Sequence, residues 1–276
     1  MSDERPKAAS LSHYAVLVAL ALVCLGPILL MAMTSLKVQA DIFASPSFWF
    51  FAPTLQNYRA VLVEDSFGRF LGNSLIVASV STVLTLVAGA MAAYAIVRFR
   101  FRGRAVVSWA TLLLRSVPLA VLAVPVFGIW EQFGLLNSLW GLILLYTAVN
   151  LPFTIWVLYG FIAQIPHELE EAALIDGCGP LRVFFAVVLP LLRPGLAAAA
   201  IFTFRIAWNE FILALVLTNR ATRTLPVAAS LYITDVGIEW GKLMALGVLI
   251  ALPPLVVTLV AARQIIAGLT AGAVKG

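Results

Sequence analysis

Glu171-Ala172-Ala173-Leu174-Ile175-Asp176-Gly177, followed after nine further residues by Val187-Val188-Leu189-Pro190, is a short acidic, soluble-looking segment set between strongly apolar runs. Upstream, Ile165-Pro166 closes an apolar run, and proline suits the first turn of a new helix because its missing N–H is not needed there. Glu168, Glu170 and Glu171 then fall in or near that first turn, where the helix dipole favours acids. Leu169, Ala172, Ala173 and Asp176 recur at helical spacing, and Gly177 and Gly179 with Pro180 stop the helix. A second short helix is expected over 181–187, with Phe184 and Phe185 presenting large rings. Small alanines permit close approach and the flanking acids offer polar contacts, so the pair forms a compact plug for a groove. A surface loop shielding the base of a helix bundle is the competing reading.

Around this segment the chain is 62% hydrophobic and only 11% charged, with a mean hydropathy of +1.03, whereas soluble domains average about 25% charged residues. Apolar runs fall at 14–34, 72–97, 105–127, 139–163, 190–217 and 243–266, each near or above the ~20 residues a helix needs to cross a bilayer. They are continuously apolar, where barrel strands would alternate, so an all-α integral membrane protein of about six transmembrane helices is expected. The 276 residues leave no room for a separate soluble domain. The chain reads as one transmembrane domain over 1–276, with the segment 164–190 as a cytoplasmic loop within it. Arg5 and Lys7 before the first run suit a signal peptide, but the run is of span length and no small-residue cleavage site follows it, so it reads as a retained first span.

Six spans put both termini on one side. Arg5, Lys7, Arg98, Arg100, Arg102, Arg104, Arg182, Arg193, Arg263 and Lys275 fall on one side, against Lys37, Arg59, Arg69, Arg220, Arg223 and Lys242 on the other. The positive-inside rule therefore makes both termini and the Glu171 segment cytoplasmic. Orientation alone accounts for the arginines of 98–104. The long connection 34–72 falls outside; its Trp49, Phe50, Phe51 and Tyr58 suit a segment lying at the membrane interface, and contact with a binding protein is the other reading.

The Glu171 segment resembles the Glu-Ala-Ala loop of importer-type ABC transporter permeases: Glu-Ala-Ala, three residues, Gly, nine residues, then Ile-x-Leu-Pro. Glu171, Ala172, Ala173, Gly177, Leu189 and Pro190 match it, with Val187 in place of Ile. Further along the chain, Ser35-Leu36-Lys37, Asp41-Ile42-Phe43, Thr54-Leu55-Gln56-Asn57-Tyr58, Asn73-Ser74-Leu75 and Ala207-Trp208-Asn209-Glu210-Phe211 look like motifs of the carbohydrate-type permeases in the same order. The tail Gly268–Gly276 resembles the C-terminus of the maltose-type subfamily, where it reaches into the ATPase pair; without the family it reads as a frayed terminus. The resemblance implies that Glu171, Ala172, Ala173, Asp176, Gly177, Leu189 and Pro190 form the ATPase-docking site. It also implies a second permease subunit, two ATPase subunits and an extracytoplasmic solute-binding protein as partners, in a bacterial cytoplasmic (inner) membrane.

No Gly-x-x-x-x-Gly-Lys-Ser/Thr phosphate loop occurs, so ATP and Mg belong to another chain and no cofactor is expected in this one. His13 and His167 lie far apart and form no metal motif, Cys24 and Cys178 fall at different depths, and no acid–base pair or nucleophile elbow stands out. The chain is therefore not expected to be an enzyme. Arg115 lies 11 residues past Arg104, or ~16 Å along a helix, near the middle of a ~30 Å hydrocarbon core. Arg205 and Asn150 also sit deep within runs. An arginine at the bilayer centre costs about 2.5–3.5 kcal/mol on insertion scales, so it faces the bundle interior, a partner or a watery path. In one reading Arg115 and Arg205 pair with Glu210, Glu131 or a partner's acids. In the other, Arg115, Asn150, Arg205, Asn209 and Glu210 line a substrate path that favours an anionic sugar, sulfonated or phosphorylated. Pro118, Pro125 and Pro152 interrupt the spans as kinks or hinges. The expected function is the translocating subunit of an ATP-driven importer for a carbohydrate or related polyol. An ion-gradient-driven secondary transporter is the alternative, with Glu210 as its only clear acidic candidate within a span.

Overall fold

The structure, a computed structural model, describes residues 11–43, 49–64 and 66–273; Arg5, Lys7, Pro46 and Lys275 lie outside the described residues. Two compact units are present, one of residues 1–67 with 231–251 and the other of residues 68–230 with 252–276.

In the first unit, α1 (Leu11–Ser35) runs through Pro27, and the sequence motifs that follow it are tied back to its end. Asn57 Nδ2 donates to the carbonyls of Ser35 (2.9 Å) and Lys37 (2.7 Å). The Tyr58 and Ser35 hydroxyls lie 2.8 Å apart, and Thr54 N–H donates to Leu36 O at 2.8 Å. The two motifs therefore occur together because the second satisfies the carbonyls left unpaired at the C-terminus of α1. Tyr58 is thus engaged within the protein, and Phe51 lies 4.7 Å beneath the Lys37 ammonium, whereas Trp49 and Phe50 remain exposed. Only the last two fit the expected interfacial ring set. A two-stranded hairpin, β1 (Ile233–Thr234) with β2 (Gly237–Ile238), is held by Gln39 Nε2 donating to Ile238 O at 2.7 Å.

In the second unit the long α2 (Phe67–Arg98), which begins one residue before it, leads to α3 (Arg104–Arg115), α4 (Leu119–Gln132) and α5 (Leu139–Ile162). The Ser138 side chain caps α5 by accepting from Trp140 N–H at 3.2 Å. Then come α6 (Glu168–Ile175), a second segment α7 (Pro180–Leu191), α8 (Arg193–Trp208) and α9 (Ile212–Leu217). The last long helix, α10 (Trp240–Ala273), starts in the first unit. The core around the α6 end of this second unit is built from Ala90, Ala93 and Ile96 of α2, Ile155, Leu158 and Ile162 of α5, Phe184 and Val188 of α7, and Leu192 and Ala199. Small residues let these helices approach, as membrane packing requires: a Cβ on Gly195 would meet Phe161 Cγ at 2.6 Å.

Among the described residues four helices are long and apolar enough to cross a membrane; two bent pairs bring the total to six if each pair is one span. The expected all-α membrane architecture holds, with four to six candidate spans against the about six expected, but two runs read as continuous are broken. The run 105–127 bends by 102° between α3 and α4, where Pro118 forces the preceding residue out of helical geometry. The run 190–217 is bent by 75° against α7, and it stops at Trp208 before resuming at Ile212. Arg115 is consequently the last residue of α3, at a bend, and not the middle of a straight span.

Candidate functional site

The Glu-Ala-Ala segment folds as read. α6 carries Glu168, Glu170 and Glu171 in its first turn. It ends in a Schellman cap: Cys178 N–H donates to Ala173 O and Gly177 N–H to Leu174 O, both at 3.0 Å, with Gly177 at φ +85°. Glycine is needed there because an L side chain in the left-handed region meets the following carbonyl. In α7, Pro190 cannot donate to the carbonyl four residues back, and the turn before it widens. Phe184–Val188 is π-helical, and Leu189 N–H reaches Phe184 O.

The exposed face of this segment carries Glu171, Ala172, Asp176 and Gly177, with Ala173 half-buried. Around them stand exposed apolar side chains: Leu174 and Ile175 on α6, Leu181 and Phe185 on α7. Ile175 is 86% exposed. The two phenylalanines expected to point outward therefore separate. Phe185 does so, while Phe184 is buried, its ring 5.0 Å from that of Tyr94. Leu189 is half-buried against the core and Pro190 is exposed.

Glu170, which lies just before the Glu-Ala-Ala motif, is 3% exposed and accepts from Tyr94 Oη (2.8 Å) and Arg98 Nε (2.6 Å). Arg98 also donates through Nη2 to Ile162 O (3.2 Å) and Ile165 O (2.7 Å) at the end of α5. Arg98 is thus more than an orientation anchor. Glu170 and Glu171 stand about 100° apart around α6, so Glu170 turns toward Tyr94 and Arg98 while the exposed Glu171 meets His167 at 3.1 Å.

The deep polar residues fall into two groups. Asn150 and Glu210 are enclosed by the chain itself. Asn150 Nδ2 donates to Tyr146 O at 2.8 Å, and Glu210 accepts from Tyr146 Oη and from Leu213 and Ala214 N–H. Arg115, Arg205 and Asn209 are exposed in this chain. The Arg115 guanidinium lies 4.4 Å from the Phe153 ring centre, Phe153 meets Phe202 edge-on at 6.0 Å, and Arg205 lies 6.0 Å from Phe202. The two arginines, Arg115 on α3 and Arg205 on α8, thus stand at the two ends of a ring pair formed by Phe153 of α5 and Phe202 of α8, and among the described residues neither forms an ion pair with Glu210 or Glu131. A cavity of about 330 Å³ beside Arg115 is lined by Thr111, Leu112, Pro152, Phe153 and Trp156. Among the described residues no group of three or more His, Cys, Asp and Glu side chains is placed to hold a metal ion.

Apolar helical segments interrupted by an acid-led, apolar-faced helical pair define a polytopic helical membrane protein. The chain belongs to the family described as binding-protein-dependent transport system inner membrane component, whose sequence model matches residues 85–269. It is 39% identical over 254 residues to the sulfoquinovosyl glycerol transport system permease protein SmoH of Agrobacterium fabrum, covering 91% of this chain and 89% of that one. It is 41% identical to the trehalose transport system permease protein SugB of Mycobacterium tuberculosis, covering 81% and 82%. A solved structure of a bacterial ABC transporter involved in the import of the acidic polysaccharide alginate superposes with a TM-score of 0.77 at 21% identity, over 93% of this chain and 98% of that one. The fold is that of ABC importer permeases, the resemblance read from Glu171–Pro190 is borne out, and the protein is a multi-pass transport component of the inner membrane.

Proposed function

We propose that the chain is the translocating permease subunit of an ATP-driven importer for a carbohydrate or related polyol. Membership of the binding-protein-dependent family carries this reading, and the exposed face of α6 and α7 gives it a mechanism. ATP and Mg are held by two separate ATPase subunits, which seat α6 in a groove through Leu174, Ile175, Leu181 and Phe185, with Glu171 supplying a polar contact. Closure of the ATPase pair moves this element, and the spans reorient between outward and inward access. The termini and the 164–190 segment lie on the cytoplasmic side, where the arginines of 98–104 favour them. A second permease subunit completes the path, and an extracytoplasmic binding protein delivers solute.

The finer reading is an anionic sugar. Arg115 and Arg205 at the two ends of the Phe153–Phe202 ladder offer guanidinium forks suited to sulfonate, phosphate or carboxylate groups, and the rings between them offer faces to a sugar. Sulfoquinovosyl glycerol and alginate, named for two of the similar proteins, fit such a path; trehalose, named for another, does not need one.

The test is a pull-down of the tagged chain from native membranes, with ATPase activity assayed on the eluate. ATPase activity that is lost with Glu171→Ala supports the docking reading, and a chain that purifies alone overturns it. Arg115→Gln and Arg205→Gln in the reconstituted complex should impair uptake of a sulfonated or uronic sugar and leave a neutral disaccharide unaffected; loss of assembly instead assigns the arginines to pairing with a neighbouring subunit.

A further inference from the structure

We propose that Arg98 and Glu170 form a pin that fixes the docking helix to two spanning helices, so that a push on α6 is delivered to α2 and α5 together. This rests on the docking reading of α6 and names how its motion leaves the segment. Only one face of α6 is free. On the other face Glu170 is buried, and both its oxygens are occupied: Oε1 accepts from Arg98 Nε at 2.6 Å and Oε2 from Tyr94 Oη at 2.8 Å. Tyr94 and Arg98 are one helical turn apart near the end of α2, so the carboxylate spans a full turn of that helix. Arg98 also fastens the end of α5 through its two carbonyl contacts, at Ile162 and Ile165. One guanidinium therefore joins three elements. The Tyr94 ring rests on Phe184 of α7 at 5.0 Å, which brings the second docking helix into the same cluster.

Arg98 and Glu170 are largely shielded, with side-chain exposures of 10% and 4%. A pair held away from water is screened little and is directional. An exposed pair such as His167–Glu171, at 54% and 62%, holds no comparable geometry. The contrast divides the labour between adjacent acids: Glu171 faces the partner and Glu170 faces the spans. Arg98 and Glu170 are positioning residues, and their effect is on how far motion of α6 is shared, not on whether α6 binds.

The test uses the full chain in its co-purified complex, with Cys24 and Cys178 replaced by serine and spin labels on Glu168→Cys of α6 and Met91→Cys of α2. Distances are measured by pulsed electron resonance without nucleotide and after trapping with ATP and vanadate. The pin predicts one narrow distance that does not shift on trapping. Glu170→Gln should broaden that distance and make it shift while ATPase still co-purifies. If Glu170→Gln fails to assemble, Arg98→Gln supplies the same reading, because it removes the guanidinium that holds Glu170 to α2. A wild-type distance that shifts on trapping overturns the proposal, as does a variant distance identical to wild type. Absence of ATPase from the wild-type eluate is a separate result that overturns the docking reading itself.

Discussion

The Tyr146 hydroxyl donates to Glu210 Oε2 at 2.6 Å, joining α5 to the break between α8 and α9. The same carboxylate accepts from Leu213 N–H (2.8 Å) and Ala214 N–H (3.0 Å), the unpaired donors at the start of α9. Glu210 is 8% exposed, so its removal leaves three buried donors without a partner, each costing about 1–3 kcal/mol. Glu210→Ala should sharply lower the melting temperature of the detergent-solubilised protein. Tyr146→Phe removes one donor and should cost about 1 kcal/mol. Equal melting of Glu210→Ala and wild type would overturn the capping role. The engagement of both oxygens also counts against the gradient-driven alternative, which needs this acid free to exchange an ion.

Gly177 and Ala172 should separate folding from docking. Gly177 sits at φ +85°, and a Cβ there would meet nothing within 4 Å, so Gly177→Ala meets backbone strain of about 1–2 kcal/mol and no clash. It should fray the last turn of α6, seen as faster amide exchange over 173–178. Ala172 is exposed in ordinary helix geometry, so Ala172→Trp should keep that protection and still uncouple ATP hydrolysis from uptake. Normal coupled uptake by Ala172→Trp would count against this face as the docking surface.

Three glycines give a graded set. A Cβ on Gly141 would run into the Leu135 carbonyl, one on Gly195 would meet Phe161 Cγ at 2.6 Å, and one on Gly160 would meet nothing within 4 Å. Backbone cannot yield as a side chain does, and overpacking costs about 1–3 kcal/mol. Gly141→Ala should be the most destabilising, Gly195→Ala intermediate and Gly160→Ala near neutral. Thermal melts of the three variants check the order.

The six apolar segments were legible because span length is set by the bilayer and not by neighbours. The stop at Gly177 was legible because it is a local backbone requirement. The breaks were less so: Pro118 announced one, but the interruption at 209–211 depends on Glu210 turning back to cap α9, a contact with Tyr146 sixty-four residues away in sequence. The division between Glu170 and Glu171 was hidden for the same reason. Adjacent acids look alike in sequence, and only the packing of α6 against Tyr94 and Arg98 decides which is buried. Arg115 looks central only if its helix is straight; the 102° bend after it moves it to a corner.

Asn73-Ser74, singled out only as a motif at the start of a span, holds a distant loop. Asn73 Nδ2 donates to the carbonyls of Ala221 and Arg223, both at 2.9 Å, and Ser74 Oγ accepts from Leu225 N–H at 2.8 Å. These bonds fix 221–225, the lead-in to the helical turn Leu225–Ala229, and Leu225 itself is fully buried. Asn73→Ala leaves two carbonyls without their donor and Ser74→Ala leaves one buried N–H unpaired, about 1–3 kcal/mol for each group lost. Both variants should therefore raise amide exchange across 221–229 while leaving α6 protected, because nothing in the Asn73 contacts reaches the Glu170 cluster. Exchange that rises equally at both places would mean the loop is held by global stability and not by these bonds.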